Sequence, residues 1–146
     1  RLIDTSLWIE WLRGSPTQSV GRLAEAIVSP VPIFMAPVIL QEILRGARND
    51  EQLLRWQDFF GGLRRLSVVD PFATRAAAAR LFLRCRLVGI TPRSGNDCLI
   101  AQLAIENRLV LIHRDKDFTR MAVAVPELRQ ENRDESLYRR PNDPAQ

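Results

Sequence analysis

SGNDCLIAQLAIENRLVLIHRDKDF, at residues 94–118, is the stretch that decides the fold class of this chain. Its first half is an apolar helical pattern at 95–107 that opens with Ser94-Gly-Asn-Asp97, a sequence typical of a helix N-terminus. Its second half contains a continuous apolar run at 109–112, as expected for a strand buried on both faces of a parallel sheet. The stretch therefore predicts a helix that leads into a central strand of an α/β protein.

The same alternation of strand-like and helical patterns continues on both sides of this unit. Short apolar runs predict strands at residues 1–3, 31–36, 66–69 and 109–112, with a further candidate at 122–125. Helical patterns separate them at 5–12, 17–29, 37–47, 51–63, 71–88 and 95–107. Strands that alternate with helices in this way predict a mostly parallel sheet covered by helices on both faces.

The composition is that of a soluble globular protein. The chain has 146 residues, of which 46% are hydrophobic and 26% charged, enough for one domain with a substantial core. No apolar run approaches the roughly 20 residues that span a bilayer, so no membrane association is expected. The opening Arg1-Leu-Ile-Asp4 is too charged for a signal peptide. Cys85 and Cys98 lack the spacing of a zinc site or a disulfide framework, so we expect buried, reduced thiols in a cytoplasmic protein.

The charge balance favours a polyanionic partner. The net charge is +4, the pI is about 10.0, and Lys116 is the single lysine beside 20 arginines. Guanidinium groups suit bidentate contacts to phosphate, and basic proteins attract nucleic acids through their charge alone. A general bias toward arginine over lysine explains the same counts equally well. The charge therefore favours a polyanionic partner but does not establish one.

The last residues differ from the rest of the chain. The stretch 131–146 contains two prolines, many charges, and only Leu137 and Tyr138 as large apolar side chains. Such a segment buries too little apolar surface to fold by itself. We therefore expect a domain at residues 1–130 followed by a polar tail at 131–146.

Four carboxylates are predicted to meet at one edge of the sheet. Ligands of an open parallel sheet bind at the carboxyl ends of its strands. Asp4 and Asp115 follow predicted strands there, and Asp97 begins a helix that runs antiparallel into the next strand. Glu42 lies in the second turn of a helix that follows another strand, and its longer side chain could reach back toward the same edge.

Each acid alone also has a purely structural interpretation. Asp4 and Asp97 could cap helices, Glu42 could lie on a solvated flank, and Asp115 could belong to a turn. Two charges 4 Å apart repel by about 4 kcal/mol at an effective dielectric near 20. A cluster of four therefore requires protonation or a cation. Oxygen ligands alone favour Mg²⁺ or Mn²⁺, which can activate water and hold a phosphodiester for in-line displacement.

Other polar residues near strand ends also have both structural and functional interpretations. Asp70 precedes Pro71, which is the pattern of an N-cap followed by proline in the first helical position, so we expect Asp70 to cap a helix rather than to belong to the site. His113, the single histidine, could be a general base, a phosphate contact or a packed strand-end residue. Thr5 and Ser6 could orient water or Asp4, or cap the first helix.

Four features, in order, resemble the PIN domain and specifically the VapC-type toxins of prokaryotic toxin–antitoxin pairs. They are LIDTSLWIEWLRG at 2–14, PVILQEILRGAR at 37–48, the stretch 94–118 and the total length. The resemblance covers residues 1–126 and implies a Rossmann-like α/β/α sandwich. It implies an Mg²⁺- or Mn²⁺-dependent endoribonuclease, a hydrolase that cleaves structured RNA, most often tRNA. It also implies a homodimer and a cognate VapB-type antitoxin that covers the active cleft.

The resemblance also assigns residues. It implies that Asp4, Glu42, Asp97 and Asp115 are the catalytic and metal-binding acids, with Asp4 and Asp97 as direct metal ligands. Asp117 would be a secondary acid in the same turn as Asp115. Hydrolysis by this set is expected to leave a 5′-phosphate and a 3′-hydroxyl.

Contacts to the RNA are less defined by the resemblance. We expect Arg45, Arg48 or Arg114 to hold phosphates that flank the cleaved bond. The family often has Thr or Ser at the position of His113, a difference that bears on substrate contact rather than on the acids.

Two other function classes stay open. A phospho-accepting signalling domain also uses Mg²⁺ and acids at the ends of parallel strands, and Lys116 could serve as its lysine. It would leave Glu42 and Asp97 without a role. A non-catalytic RNA-binding module would use the arginine surface, but acids weaken binding to phosphate unless a cation is present.

Overall fold

Every strand pair in the central sheet is parallel. The computed structural model describes residues 1–133. In that part of the chain the strands are β1 (Leu2–Ile3), β2 (Phe34–Met35), β3 (Arg64–Arg65), β4 (Leu111–His113) and β5 (Gln130–Asn132). The helices are α1 (Thr5–Leu12), α2 (Gln18–Val28), α3 (Pro37–Leu44), α4 (Asp50–Gly61), α5 (Pro71–Leu87), α6 (Gly95–Glu106) and α7 (Lys116–Ala124).

The strand order places a crevice beside β1. The order is β3-β2-β1-β4-β5, so the chain leaves β1 toward one edge of the sheet and later returns to build the other. Leu2 of β1 pairs with Phe34 of β2 on one side and with Leu111 of β4 on the other. In open parallel sheets, ligands bind at such a switch point, outside the carboxyl ends of the strands. The ends of β1 and β4 are therefore the expected position of a site.

The core confirms the predicted layers. The side chains of Leu2, Ile3 and Leu111 are fully buried, so β1 and β4 are covered on both faces. Helix α6 is apolar around most of its circumference because it packs between α5 and the rest of the core. Its buried residues are Cys98, Leu99, Ile100, Ala101, Leu103 and Ala104. The architecture is thus an α/β sandwich with a parallel sheet, as the sequence predicts.

Two strand predictions are wrong. The third strand lies at Arg64–Arg65 rather than 66–69, because this edge strand is held by main-chain pairing with β2 and leaves both arginine side chains in water. Residues 122–124 are the last turn of α7, not a strand. The buried Met121 and Val125 of that region have the i, i+4 spacing of a helical face.

Strand β5 was not predicted because its sequence, Gln-Glu-Asn, is polar. Main-chain bonds define it instead: it pairs in parallel with β4, and the amide of Arg133 donates to the carbonyl of His113 at 2.6 Å. Glu131 and Asn132 belong to this strand, whereas their composition predicts that they lie in the polar tail. The rest of the predicted tail, residues 134–146, lies outside the described residues.

Two further expectations are confirmed. Cys85 and Cys98 are free and buried. Asp70 is the N-cap of α5, and its Oδ1 accepts from the amides of Phe72 and Ala73, each at 3.0 Å. Within residues 1–133, no helix combines the length and apolar character that a membrane crossing requires.

Replacing the α5 cap is expected to change stability without touching the acid-rich edge. Asp70→Ala leaves two helix-terminal amides without their side-chain acceptor and should lower the free energy of unfolding by about 1 kcal/mol. Asp70→Asn restores an acceptor and should stay within about 0.5 kcal/mol of the original chain. Urea unfolding of the three proteins measures both changes. An equal loss in the two variants would show that the charge, not the cap, stabilises α5.

Candidate functional site

Asp4 both caps α1 and lies at the end of β1. Its Oδ2 accepts from the amide of Ser6 at 3.1 Å and from the hydroxyl of Ser6 at 2.6 Å. The side chain is almost fully buried. Burial raises the pKa of this carboxyl, and the two bonds from Ser6 oppose that rise. The predicted cap and the predicted edge position are therefore both correct, and Ser6 fixes the carboxylate.

Asp97 does not cap its helix. The cap of α6 is Ser94, whose hydroxyl accepts from the amide of Asn96 at 3.0 Å. Among the described residues, the carboxylate of Asp97 has no hydrogen-bond or ion-pair partner. Burial raises its pKa from 3.8 to about 6, with further contributions from four other acids, first of all Asp4. Asp97 therefore lies in a cluster of negative charge, and no cationic side chain within residues 1–133 pairs with it.

Glu42 is directed toward the cluster by two donors. The hydroxyl of Thr5 donates to its Oε2 at 2.5 Å, and the side-chain amide of Asn96 donates to its Oε1 at 2.8 Å. Thr5 was among the predicted auxiliary residues, whereas Asn96 was missed. The only sequence signal for Asn96 is its place beside Asp97 in the first turn of α6.

Asp115 and Asp117 share one cation. Oδ1 of Asp115 accepts from the amide of Asp117 at 2.9 Å and thereby caps α7, while its Oδ2 accepts from Arg93 at 2.5 Å. The buried carboxylate of Asp117 accepts from Nε of the same arginine at 2.7 Å. Arg93 precedes the α6 cap in a loop, and no sequence pattern singled it out.

The acids that surround Asp97 are those the sequence named. Burial comes first among the causes of its raised pKa, and the charges of Asp4, Asp115, Glu42 and Asp117 follow in that order. The elements that carry them are different: Asp4 follows β1, Asp115 and Asp117 follow β4, Glu42 lies on α3 and Asp97 on α6. The parallel topology therefore assembles the cluster at the switch point.

A cleft opens beside Asp115 and Asp117. Its volume is about 520 Å³, and Ser6 also lines it. The cations on its walls are Arg93, Arg114, Lys116 and Arg120. A pocket with carboxylates on one side and guanidinium or ammonium groups around it can take a phosphate chain whose charge is shared with a cation.

The other predicted residues lie elsewhere or have other partners. Arg114 lines the cleft but forms an ion pair with Glu10. Arg45 and Arg48 are exposed beyond the end of α3 and are not among the residues that line the cleft. His113 is fully buried, its Nε2 shares a hydrogen bond with Gln130 at 2.7 Å, and burial lowers its pKa. The structure thus favours the packed strand-end interpretation of His113.

The carboxylate oxygens of the cluster are ligands that Mg²⁺ and Mn²⁺ prefer, although most of these carboxylates accept hydrogen bonds from other groups of the chain. Within residues 1–133, no group of three or more carboxylate, imidazole or thiol side chains is arranged as a ready metal cage. Glu42, Asp115 and Asp117 are each bonded to donors of the chain. Among residues 1–133 the carboxylate of Asp97 has no donor, and burial and the neighbouring acids raise its pKa, so an oxygen-bound Mg²⁺ or Mn²⁺ would relieve the repulsion at this position.

The crowding of acids predicts a pH dependence of stability. The folded-state pKa of Asp97 is about 6, above the ordinary 3.8, so its contribution to stability is fully present below pH 3.8 and is lost as the pH rises through 6. Asp97→Asn mimics the protonated group. In EDTA at pH 7 this variant should therefore melt at a higher temperature than the original chain, and the difference should vanish near pH 4.

Thermal melting at the two pH values, with and without Mn²⁺, measures this difference. Asp58→Asn, at an exposed position of α4, controls for the loss of one charge. If Asp97→Asn had a lower melting temperature than the original chain at pH 7 in EDTA, the inferred repulsion between Asp97 and the other acids would be contradicted.

Comparisons with known proteins identify the family. The profile of the PIN domain matches residues 1–124. VapC ribonuclease Mb1587 of Mycobacterium bovis is 38% identical over 118 residues, which are 80% of this chain and 87% of the relative. Ribonuclease VapC11 of Mycobacterium tuberculosis has the same identity and coverage.

Solved structures share the fold. VapBC2 from Rickettsia felis, bound to a DNA fragment from its promoter, aligns with a TM-score of 0.67 at 22% identity over 90% of this chain and 96% of that one. VapBC-1 from nontypeable Haemophilus influenzae gives a TM-score of 0.67 at 19% identity, with the same coverage. These identities support the architecture alone. From the domain profile and the mycobacterial relatives, we conclude that the chain belongs to the PIN domain family and to its VapC-type members.

Proposed function

We propose that this protein is a metal-dependent endoribonuclease that hydrolyses phosphodiester bonds and acts as the toxin of a toxin–antitoxin pair. Two relatives that are 38% identical are named as VapC ribonucleases, which supports the reaction class. The observation that carries the proposal is the carboxylate of Asp97, half-buried among four other acids and, in the described part of the chain, without a partner. A carboxylate in such surroundings destabilises the fold when it is charged, so cation binding explains its presence better than a structural role does.

The acids divide into two roles. Asp4 and Asp97 would hold the cation, while Glu42 and Asp115 would position a second cation or the attacking water. When bound, Mg²⁺ or Mn²⁺ polarises the scissile phosphate and makes water a stronger nucleophile at neutral pH.

The hydroxyl and amide donors around the acids orient them. Ser6 holds the carboxylate of Asp4, and Thr5 with Asn96 holds both oxygens of Glu42. Donors of this kind restrict the rotamers of the acids, and such supporting contacts typically matter by 10- to 100-fold in metal affinity or activity.

The substrate is proposed to be structured RNA, with tRNA first. The cleft beside Asp115 carries four cationic side chains, and the pI is about 10.0. The phosphate backbone supplies most of the charge-based affinity of such a surface. His113 is too buried to contact this substrate directly, so its role would be to pack the end of β4.

The partners are proposed to be a second copy of the chain and a cognate VapB-type antitoxin. Two of the structural neighbours are VapBC complexes. An antitoxin that covers the cleft would exclude RNA from the acids.

The test uses purified full-length protein, freed from any antitoxin, and a total tRNA pool. Discrete cuts are expected with Mg²⁺ or Mn²⁺ and none in EDTA, and the new ends should be a 5′-phosphate and a 3′-hydroxyl. Fragments with 2′,3′-cyclic phosphate ends would contradict the proposal, because that end forms when the 2′-hydroxyl of the RNA attacks. Strong tRNA binding in EDTA without cleavage in any metal would favour the non-catalytic binding module instead.

A further inference from the structure

Arg93 forms ion pairs with two acids of the cluster, but its own side chain is largely exposed to solvent. Its guanidinium donates to Asp117 at 2.7 Å and to Asp115 at 2.5 Å. The arginine side chain is 69% exposed, whereas those of Asp115 and Asp117 are 24% and 10% exposed. Ion pairs with a well-exposed partner contribute little to stability. The pairs made by Arg93 can therefore exchange for a stronger partner.

The carboxylate of Asp115 has one oxygen available for such an exchange. Its Oδ1 is committed to the amide of Asp117 as the cap of α7. Its Oδ2 is the atom that Arg93 occupies. A divalent cation that coordinates Oδ2 of Asp115 therefore competes with Arg93 for that oxygen, while the bond at Oδ1 keeps the start of α7 intact.

Arg93 differs from the other cations of the cleft. Arg114 is paired with Glu10, and Arg120 approaches Asp117 only to 3.7 Å. Within residues 1–133, no other cation bonds to Asp115. The positive charge that pairs with Asp115 in the described structure therefore comes from a loop side chain directly before α6.

We propose that Arg93 is an exchangeable counterion of the acid cluster. It neutralises Asp115 and Asp117 when no divalent cation is bound, and it leaves them when a cation binds. The released guanidinium then lies in the cleft of about 520 Å³, where it holds a phosphate of the RNA. This inference rests on the proposed function, because it assumes that the acids take a cation and that the cleft takes RNA.

Calorimetric titration of the intact, antitoxin-free protein with Mn²⁺ tests the exchange. Arg93→Gln should bind Mn²⁺ about three- to tenfold more tightly than the original chain, since it no longer competes for Asp115. Arg120→Gln removes the same charge from the same cleft without freeing Asp115, so its Mn²⁺ affinity should change less than about twofold. Arg93→Lys keeps the charge but loses the planar fork and should lie between the two.

RNA kinetics test the second half of the inference. In saturating Mn²⁺, Arg93→Gln should raise the KM for total tRNA about three- to tenfold, while kcat stays within about twofold. A tighter Mn²⁺ complex with a weaker RNA complex is a combination that a misfolded variant would not give.

These measurements distinguish a failure of the Arg93 exchange from a failure of the proposed metal site. If Arg93→Gln binds Mn²⁺ no more tightly than Arg120→Gln does, the exchange is overturned and the nuclease proposal stands. An unchanged KM would overturn the phosphate contact in the same way. If the original chain binds no Mn²⁺, or if Asp97→Asn binds it equally well, the metal site itself fails and the exchange fails with it.

Discussion

Asp97→Asn is expected to reduce RNA cleavage by a factor on the order of 100 or more while leaving the protein folded. The substitution removes the negative charge and keeps a side chain of nearly the same shape. The helix keeps its cap, because Ser94 and not Asp97 makes the capping bond. Loss of supporting groups around a metal costs 10- to 100-fold, so loss of a direct ligand should cost at least the upper value.

The measurement is the initial rate of tRNA cleavage in Mg²⁺ and in Mn²⁺, with the original chain beside Asp97→Asn. Asp70→Asn is the matched control, since it makes the same chemical change at the cap of α5, outside the acid cluster. It should cleave at the full rate, and the loss of cleavage in Asp97→Asn purified in the same way would exclude a contaminating nuclease. If Asp97→Asn cleaved tRNA as fast as the original chain does, Asp97 would have a structural role only. The proposed metal site would then lose its main support.

The position of the acids could be predicted because main-chain topology determines it. A residue that directly follows a strand of a parallel sheet lies at its carboxyl edge whatever its side chain does. This argument located Asp4 and Asp115, and the antiparallel course of α6 located Asp97. The resemblance to the PIN domain then named the same residues.

The partners of these acids could not be predicted in this way. Arg93 reaches Asp115 across 22 positions of the chain, and Asn96 reaches Glu42 across 54. Such bonds depend on rotamers and on how two loops or helices approach each other, neither of which leaves a periodic pattern. The distinction between Asp97 as a cap and Asp97 as a partnerless acid likewise required the structure, since Ser94-Gly-Asn-Asp97 satisfies the capping pattern in either case.

The strand errors have a related cause. The inner strands β1, β2 and β4 are apolar runs, and the sequence predicts their ends to within three residues. The two edge strands, β3 and β5, are Arg-Arg and Gln-Glu-Asn and have no hydrophobic signal. Their pairing is made by main-chain groups, which every sequence contains. Sequence patterns therefore describe the centre of this sheet better than its edges.

The second large effect is expected in the core beneath α1. Trp8 is fully buried and packs edge-on against Phe60, with ring centroids 5.1 Å apart. Trp8→Ala removes this ring from a close-packed interior and should lower the free energy of unfolding by about 3–5 kcal/mol. Since a typical domain is stable by only about 5–15 kcal/mol, this variant should unfold at much lower urea concentrations.

Trp8→Phe separates the loss of packing from the loss of the indole N–H. Among the described residues, Nε1 of Trp8 is buried without a hydrogen-bond partner, so its removal costs no bond and relieves a desolvated donor. We therefore expect Trp8→Phe to lose less than half as much stability as Trp8→Ala in urea unfolding. Because Asp4 caps the helix that carries Trp8, the phenylalanine variant should also retain RNA cleavage, as long as α1 stays docked. An equal loss of stability in both variants would mean that the indole N–H has a partner in solution, and the packing argument for this position would then be wrong.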